Sequence, residues 1–158
     1  VRPATLRHTE PHNGHTLLHW AAKRADDTRI LALLLRYSCP YDTNNNNNTN
    51  NFINTVTTDK LGMAPLHWAC TEQNSIPLVS ILLHAGADTE TRDPTGCTPL
   101  LIAAQHGQPD LVAYLLLKGA KEDAVDDSGD TAFHWAAYKG HTQVCGLLLY
   151  RRPWDYWA

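Results

Sequence analysis

The chain has 158 residues, 43% of them hydrophobic, which is enough for one domain with a real core and too apolar for a disordered segment. Its formal charge of −3 and lack of any Lys/Arg block set it apart from surfaces that neutralise phosphate, so neither nucleic acid nor an anionic membrane is an expected partner. The longest apolar runs, 30–35 and 111–117, fall well short of the roughly 18 residues that a membrane-spanning helix needs.

Residues 1–11, VRPATLRHTEP, contain no apolar signal core and read as a ragged leading segment with no visible secretory address. A first unit, 12–40, follows: Gly14, a short helix over Thr16 to Ala22 (TLLHWAA), the turn KRADDTR, and a second helix carrying Ile30, Leu31, Leu34 and Leu35. The tract 41–58, YDTNNNNNTNNFINTVTT, has little to bury and predicts a disordered surface loop. A chain of stacked units tolerates such an insertion because loop-closure entropy grows slowly with length. The second unit, 59–92, has PLHWAC at Pro65 to Cys70, the turn TEQNSIP and the exit GAD at Gly86 to Asp88.

The third unit, 93–125, shows the pattern most fully in DPTGCTPLLIAAQHGQPDLVAYLLLKGA, Asp93 to Ala120. Thr98 suits an N-cap and Pro99 the first helical position, where no amide partner is lost. Leu100, Ala103 and Ala104 then share one face, and the small alanines let a second helix come close. Leu111, Val112, Leu115 and Leu116 form the stripe of that second helix. An incomplete fourth unit, 126–150, keeps Thr131, HWAAYKGH at His134 to His141, Val144, Leu148 and Leu149. The tail 151–158, RRPWDYWA, does not read as a capping helix, so the natural protein is expected to continue past Ala158.

His19, His67, Leu101 and His134 occupy one equivalent position, the last three separated by 34 and then 33 residues. With the phrases above, this period resembles the ankyrin-repeat family over nearly the whole chain. The resemblance implies an all-α solenoid of about four helix-turn-helix repeats with short β-turn finger loops and one Asn-rich insertion. Two short helices cannot hide such apolar faces alone, so neighbouring units must stack.

A second stripe runs along each first helix at spacings of three and four. Its members are Trp20, Lys23 and Arg24; Trp68, Thr71 and Glu72; Ile102, Gln105 and His106; and Trp135, Tyr138 and Lys139. In ankyrin folds this stripe lines the concave groove. A tryptophan carries about 150 to 250 Å² of surface, and covering it fully is worth roughly 4 to 6 kcal/mol before ordering costs. Trp20, Trp68 and Trp135 are therefore candidate anchors for a protein partner, with Gln105, His106, Tyr138 and Lys139 beside them. The alternative is that each ring lies over the neighbouring repeat and only packs. As an anchor, Trp135 should lose at least about 2 kcal/mol of binding on truncation to Ala, with little change in stability.

His19, His67 and His134 are expected to bridge a nearby Thr hydroxyl and backbone groups of the next loop. His12 and His15 make too small a cluster for a metal, and no metal or cofactor is called for. Cys39, Cys70, Cys97 and Cys145 are widely spaced and read as reduced thiols of a cytosolic setting. No phosphate cradle, nucleophile elbow or metalloprotease phrase is present, and a Cys145–His141 pair lacks an orienting group and an oxyanion site. No catalytic residue is expected in this chain.

The phrases TLLHWAA, PLHWAC, GAD with DPTGC, AAQHG, LVAYL and HWAAYKGH, in this order and spacing, look like the N-terminal ankyrin region of DHHC protein S-acyltransferases of the huntingtin-interacting palmitoyltransferase type. That resemblance implies a Golgi or other endomembrane enzyme whose spans and Asp-His-His-Cys domain lie outside this chain, with the repeats on the cytoplasmic face. It further implies recruitment of a Pro-containing extended peptide by the residues matching Trp135 and Gln105, 30 positions apart. The segment itself is expected to be monomeric and to touch no membrane. The rival expectation is a free-standing cytosolic scaffold with no attached enzyme.

Overall fold

The computed structural model describes residues 14–24, 27–38 and 62–151. The leading segment, Cys39, the Asn-rich tract and the tail from Arg152 lie outside the described residues. Among those described there are eight helices in four successive pairs: α1 (Leu17–Ala22) with α2 (Thr28–Ser38), α3 (Pro65–Thr71) with α4 (Ile76–His84), α5 (Pro99–Gln105) with α6 (Pro109–Leu117), and α7 (Ala132–Lys139) with α8 (Thr142–Arg151). The first helices α1, α3, α5 and α7 pack side by side in one row, and α2, α4, α6 and α8 form a second row against them. The described part is all-helical, apart from a single antiparallel bridge between Val125 and Thr131 at the base of the last finger loop.

Helix boundaries follow local chemistry. Pro65, Pro99 and Pro109 open their helices where a missing amide costs nothing. The Thr98 and Thr131 hydroxyls accept from the amides of Leu101 and His134, each at 3.5 Å. The tight turn within each later pair needs one left-handed residue. Gly107 (φ 65°) and Gly140 (φ 76°) supply it after α5 and α7, and Asn74 (φ 56°), a residue type that tolerates this region, replaces glycine after α3.

The core lies between the two rows. Ala21, Ala22, Ala69, Ala103, Ala104 and Ala136 are all buried, which is how the first helices approach one another and the second row. Leu31, Leu35, Leu78, Leu82, Leu111, Leu115, Val144 and Leu148 fill the other side. Ile30 and Leu149, which the leucine pattern groups with this stripe, are exposed instead. Each precedes or follows a buried leucine by one residue, and a single step turns a side chain about 100° around the helix.

Side chains reaching for backbone lock the repeats together. The Nδ1 of His19 accepts from the Thr16 amide at 3.0 Å, so Nε2 carries the proton and donates to the Met63 carbonyl at 2.9 Å. His67 repeats the arrangement, accepting from the Ala64 amide and donating to the Thr91 carbonyl at 2.9 Å. Gln108 donates to the Cys70 carbonyl at 2.7 Å, and His141 Nε2 to the Gln105 carbonyl at 2.9 Å. His134 holds the Thr131 amide and hydroxyl through Nδ1 in the same way, and its Nε2 makes no hydrogen bond among the described residues.

Cys70, Cys97 and Cys145 are free thiols, and burial pushes the Cys70 thiol far above its ordinary pKa, which leaves it inert. Among the described residues no three of His, Cys, Asp and Glu are grouped so as to hold a metal ion. No helix there is long and apolar enough to cross a membrane.

Candidate functional site

The stripe that carries the tryptophans is not uniformly open. Ile102, which takes the tryptophan position in the third repeat, is only 4% exposed, so a covered step separates Trp20 and Trp68 from Trp135. At the first end Trp20 is 46% exposed and Trp68 half-buried, with ring centroids 6.4 Å apart. The buried His15 meets both edge-on, at 4.6 Å from Trp68 and 5.6 Å from Trp20. The Lys23 ammonium stands 5.1 Å over the Trp68 ring. These two indoles thus cluster with each other and with His15 and Lys23, while Trp20 stays nearly half exposed.

Trp135 is placed differently. It is half-buried on α7, and its indole N–H donates to Asp126 Oδ2 at 2.9 Å. The other oxygen of Asp126 accepts from the amides of Ser128 and Asp130, both at 2.9 Å. Burial alone would raise the Asp126 carboxyl, but the Asp130 amide, the Trp135 indole and the Ser128 and Gly129 amides more than offset it and hold it below the ordinary aspartate range. Tyr138, one turn on, is 80% exposed and meets Trp135 edge-on, centroids 6.1 Å apart at 82°. Together with Asp130 and His134, these two rings line an open concavity of about 390 Å³. The Lys139 ammonium lies 5.6 Å from the centre of the Tyr138 ring.

The remaining candidates fall outside that concavity. Gln105 is half-buried at the end of α5, and its amide nitrogen lies 3.6 Å from Cys97 Sγ, a weak hydrogen bond that a stronger acceptor can displace. His106 is exposed just beyond it, with its carbonyl accepting from Gln73 at 3.4 Å. Partial burial of its ring, helped by Lys139 and His141 and opposed by Glu72, holds the His106 pKa below its ordinary value.

One expectation requires correction. Because the Trp135 N–H satisfies a carboxylate that is only 6% exposed, truncating this residue should cost stability. Asp130 lines the concavity and Asp126 supports it, and the tryptophan pattern alone does not bring either forward. A signal for Asp126 exists nonetheless, since Asp93 holds the equivalent place in the third repeat and accepts from the Thr95 and Cys97 amides in the same manner. There the stripe residue nine positions on is Ile102, which has no N–H to offer.

Residues 3–93 and 66–155 each match the family model described as ankyrin repeats (3 copies). The chain belongs to the ankyrin-repeat family. It is 46% identical over 69 residues to protein phosphatase 1 regulatory subunit 27 of Mus musculus, a match covering 44% of each chain. It is 45% identical over 81 residues to ankyrin repeat and KH domain-containing protein 1 of Homo sapiens, covering 50% of this chain and 3% of that one. With the E3 ubiquitin-protein ligase KEG of Arabidopsis thaliana it shares 30% identity over 139 residues, 87% of this chain and 8% of the relative. The chain thus spans less than half the length of these curated relatives. The fold and the family support a protein–protein interaction module.

Proposed function

We propose that this ankyrin segment binds an extended peptide of a protein partner across its first-helix face, with Trp135 as the anchor. The observation that carries the reading is the state of that indole: its one polar group is tied to Asp126, while the ring lines an open concavity beside an exposed Tyr138. Such a ring offers only apolar surface, which suits a proline or another compact apolar group. A polyproline II segment leaves its backbone unsatisfied, and the loosely held Gln105 amide is available to pair with it. Binding to a panel of Pro-containing peptides tests this, comparing the native chain with Gln105→Ala and Trp135→Phe. Equal binding by all three would overturn it.

The finer reading is that the segment, a monomer at the cytoplasmic face of the Golgi or another endomembrane, recruits clients for a protein S-acyltransferase. Its support is the in-register set of phrases from TLLHWAA to HWAAYKGH. The reading frame downstream of Ala158 decides it: hydrophobic spans and an Asp-His-His-Cys motif would uphold it, and a stop codon after a further repeat would refute it. A second reading, an adaptor with no enzymatic domain, draws support from the similarity to a phosphatase regulatory subunit.

A further inference from the structure

The Asp126 carboxylate does two things at once. One oxygen holds the Asp130 amide and the other holds the Trp135 indole, so a single buried group fixes both walls of the concavity relative to each other. The Asp130 backbone is pinned a second time through its carbonyl, which accepts from the Asp126 amide at 3.1 Å. Its own carboxylate nevertheless makes no hydrogen bond or ion pair among the described residues, and it lines the concavity. A residue with an uncommitted carboxylate therefore lines the same concavity as an indole whose edge has already been satisfied, and Tyr138 stands perpendicular to that ring.

The surrounding charge has one dominant sign. The finger segment 122–130, EDAVDDSGD, carries Glu122, Asp123, Asp126, Asp127 and Asp130 and no Lys or Arg. Lys121 borders the segment, Arg92 donates to the Val125 and Gly96 carbonyls rather than to a carboxylate, and Lys139 lies beyond the Tyr138 ring. An aromatic face, an aromatic wall and a free carboxylate on fixed supports match a planar cation that can stack and accept a forked ion pair together. Guanidinium has both properties, whereas an ammonium has only the charge.

We infer that the Trp135–Tyr138–Asp130 concavity receives an arginine side chain of the bound peptide, its guanidinium stacked on the indole and paired with the Asp130 carboxylate. This rests on the peptide-binding reading above and adds the chemical class of one recognised residue. Lys139 opposes the incoming charge, so it limits affinity at this site.

The test uses the full 158-residue chain labelled with nitrogen-15, with the Trp135 indole resonance assigned by its loss in Trp135→Phe. Titrating Nα-acetylarginine methylamide should move that resonance saturably, and the neutral isostere Nα-acetylcitrulline methylamide should bind about tenfold more weakly. Asp130→Asn should weaken the arginine probe at least about threefold and Tyr138→Leu likewise, while Lys139→Met should strengthen it. Equal shifts with arginine and citrulline, or an arginine response indifferent to both Asp130→Asn and Tyr138→Leu, would overturn the inference. Pro-containing peptides without arginine serve as the second arm. If they bind through Trp135 while arginine shows no preference, the arginine site fails and the peptide groove stands; if neither probe moves the indole, both fail.

Discussion

Replacing Trp135 by Phe keeps an aromatic ring in the concavity and removes the indole N–H that Asp126 accepts at 2.9 Å. Asp126 is 6% exposed, so the freed oxygen cannot simply turn to water, and it keeps only the Ser128 and Asp130 amides on its other oxygen. Hydrogen bonds to charged groups contribute about 1.5 to 3 kcal/mol, which for a chain of this size corresponds to a fall in melting temperature of roughly 3 to 12 °C. Asp126→Ala removes the loop contacts as well and should lower the melting temperature further. The informative quantity is the coupling between the two changes. If the bond is real, the double variant loses less than the sum of the singles, by at least about 1 kcal/mol. Thermal and urea denaturation followed by circular dichroism supply the values, and amide exchange at Ser128 and Asp130 locates the loss in the last finger loop. Strict additivity, with Trp135→Phe melting like the native chain, would refute the claim that this carboxylate holds the ring.

Gly96→Ala should be severely destabilising by urea denaturation: at φ 78° the new Cβ would sit 2.7 Å from the Asp127 amide nitrogen. His67→Leu, the residue type that Leu101 supplies naturally at this position, removes the donor to the Thr91 carbonyl and should cost about 1 to 3 kcal/mol in the same assay, an unchanged midpoint counting against the link. Gln108→Ala strands the Cys70 carbonyl and should cost a similar amount, about 1 to 3 kcal/mol, read as weakened exchange protection where the second and third repeats meet. The pH response follows from Asp126, whose folded pKa lies below the unfolded value of about 3.9. Its contribution is therefore complete above that unfolded value and drains away as acid carries the pH down through the folded one. The Trp135 indole resonance should report that loss in acid, with a transition whose midpoint lies below the unfolded value; a midpoint above the unfolded value would contradict the downward direction.

Much of this architecture is readable in the residues themselves. The Thr98–Pro99 start, the buried alanines and most of the leucine stripe obey local periodicity, and the His19 and His67 bridges sit where the repeated phrase puts them. The site was less legible because register assigns a side chain to a face and not a neighbour to the side chain. Trp20, Trp68, Ile102 and Trp135 share one register, yet Ile102 is covered, and Trp68 is gathered in with His15, Trp20 and Lys23. Asp126 is not legible in the sequence because finger-loop acids usually signal a solvated turn, and its role depends on a loop bringing it back to a helix nine residues later. Gln105 lies at the end of a first-row helix, but its hold on Cys97 Sγ depends on packing that no spacing reveals.

In four of the links between repeats the receiving end is a main-chain oxygen: Met63 for His19, Thr91 for His67, Cys70 for Gln108 and Gln105 for His141. A carbonyl is present whatever side chain the residue bears. Substitutions at Thr91 and Gln105, which are only half-buried, can therefore reshape what this surface displays while the stack keeps its registration, so a repertoire of recognition can change on top of joints that the chain's own backbone provides.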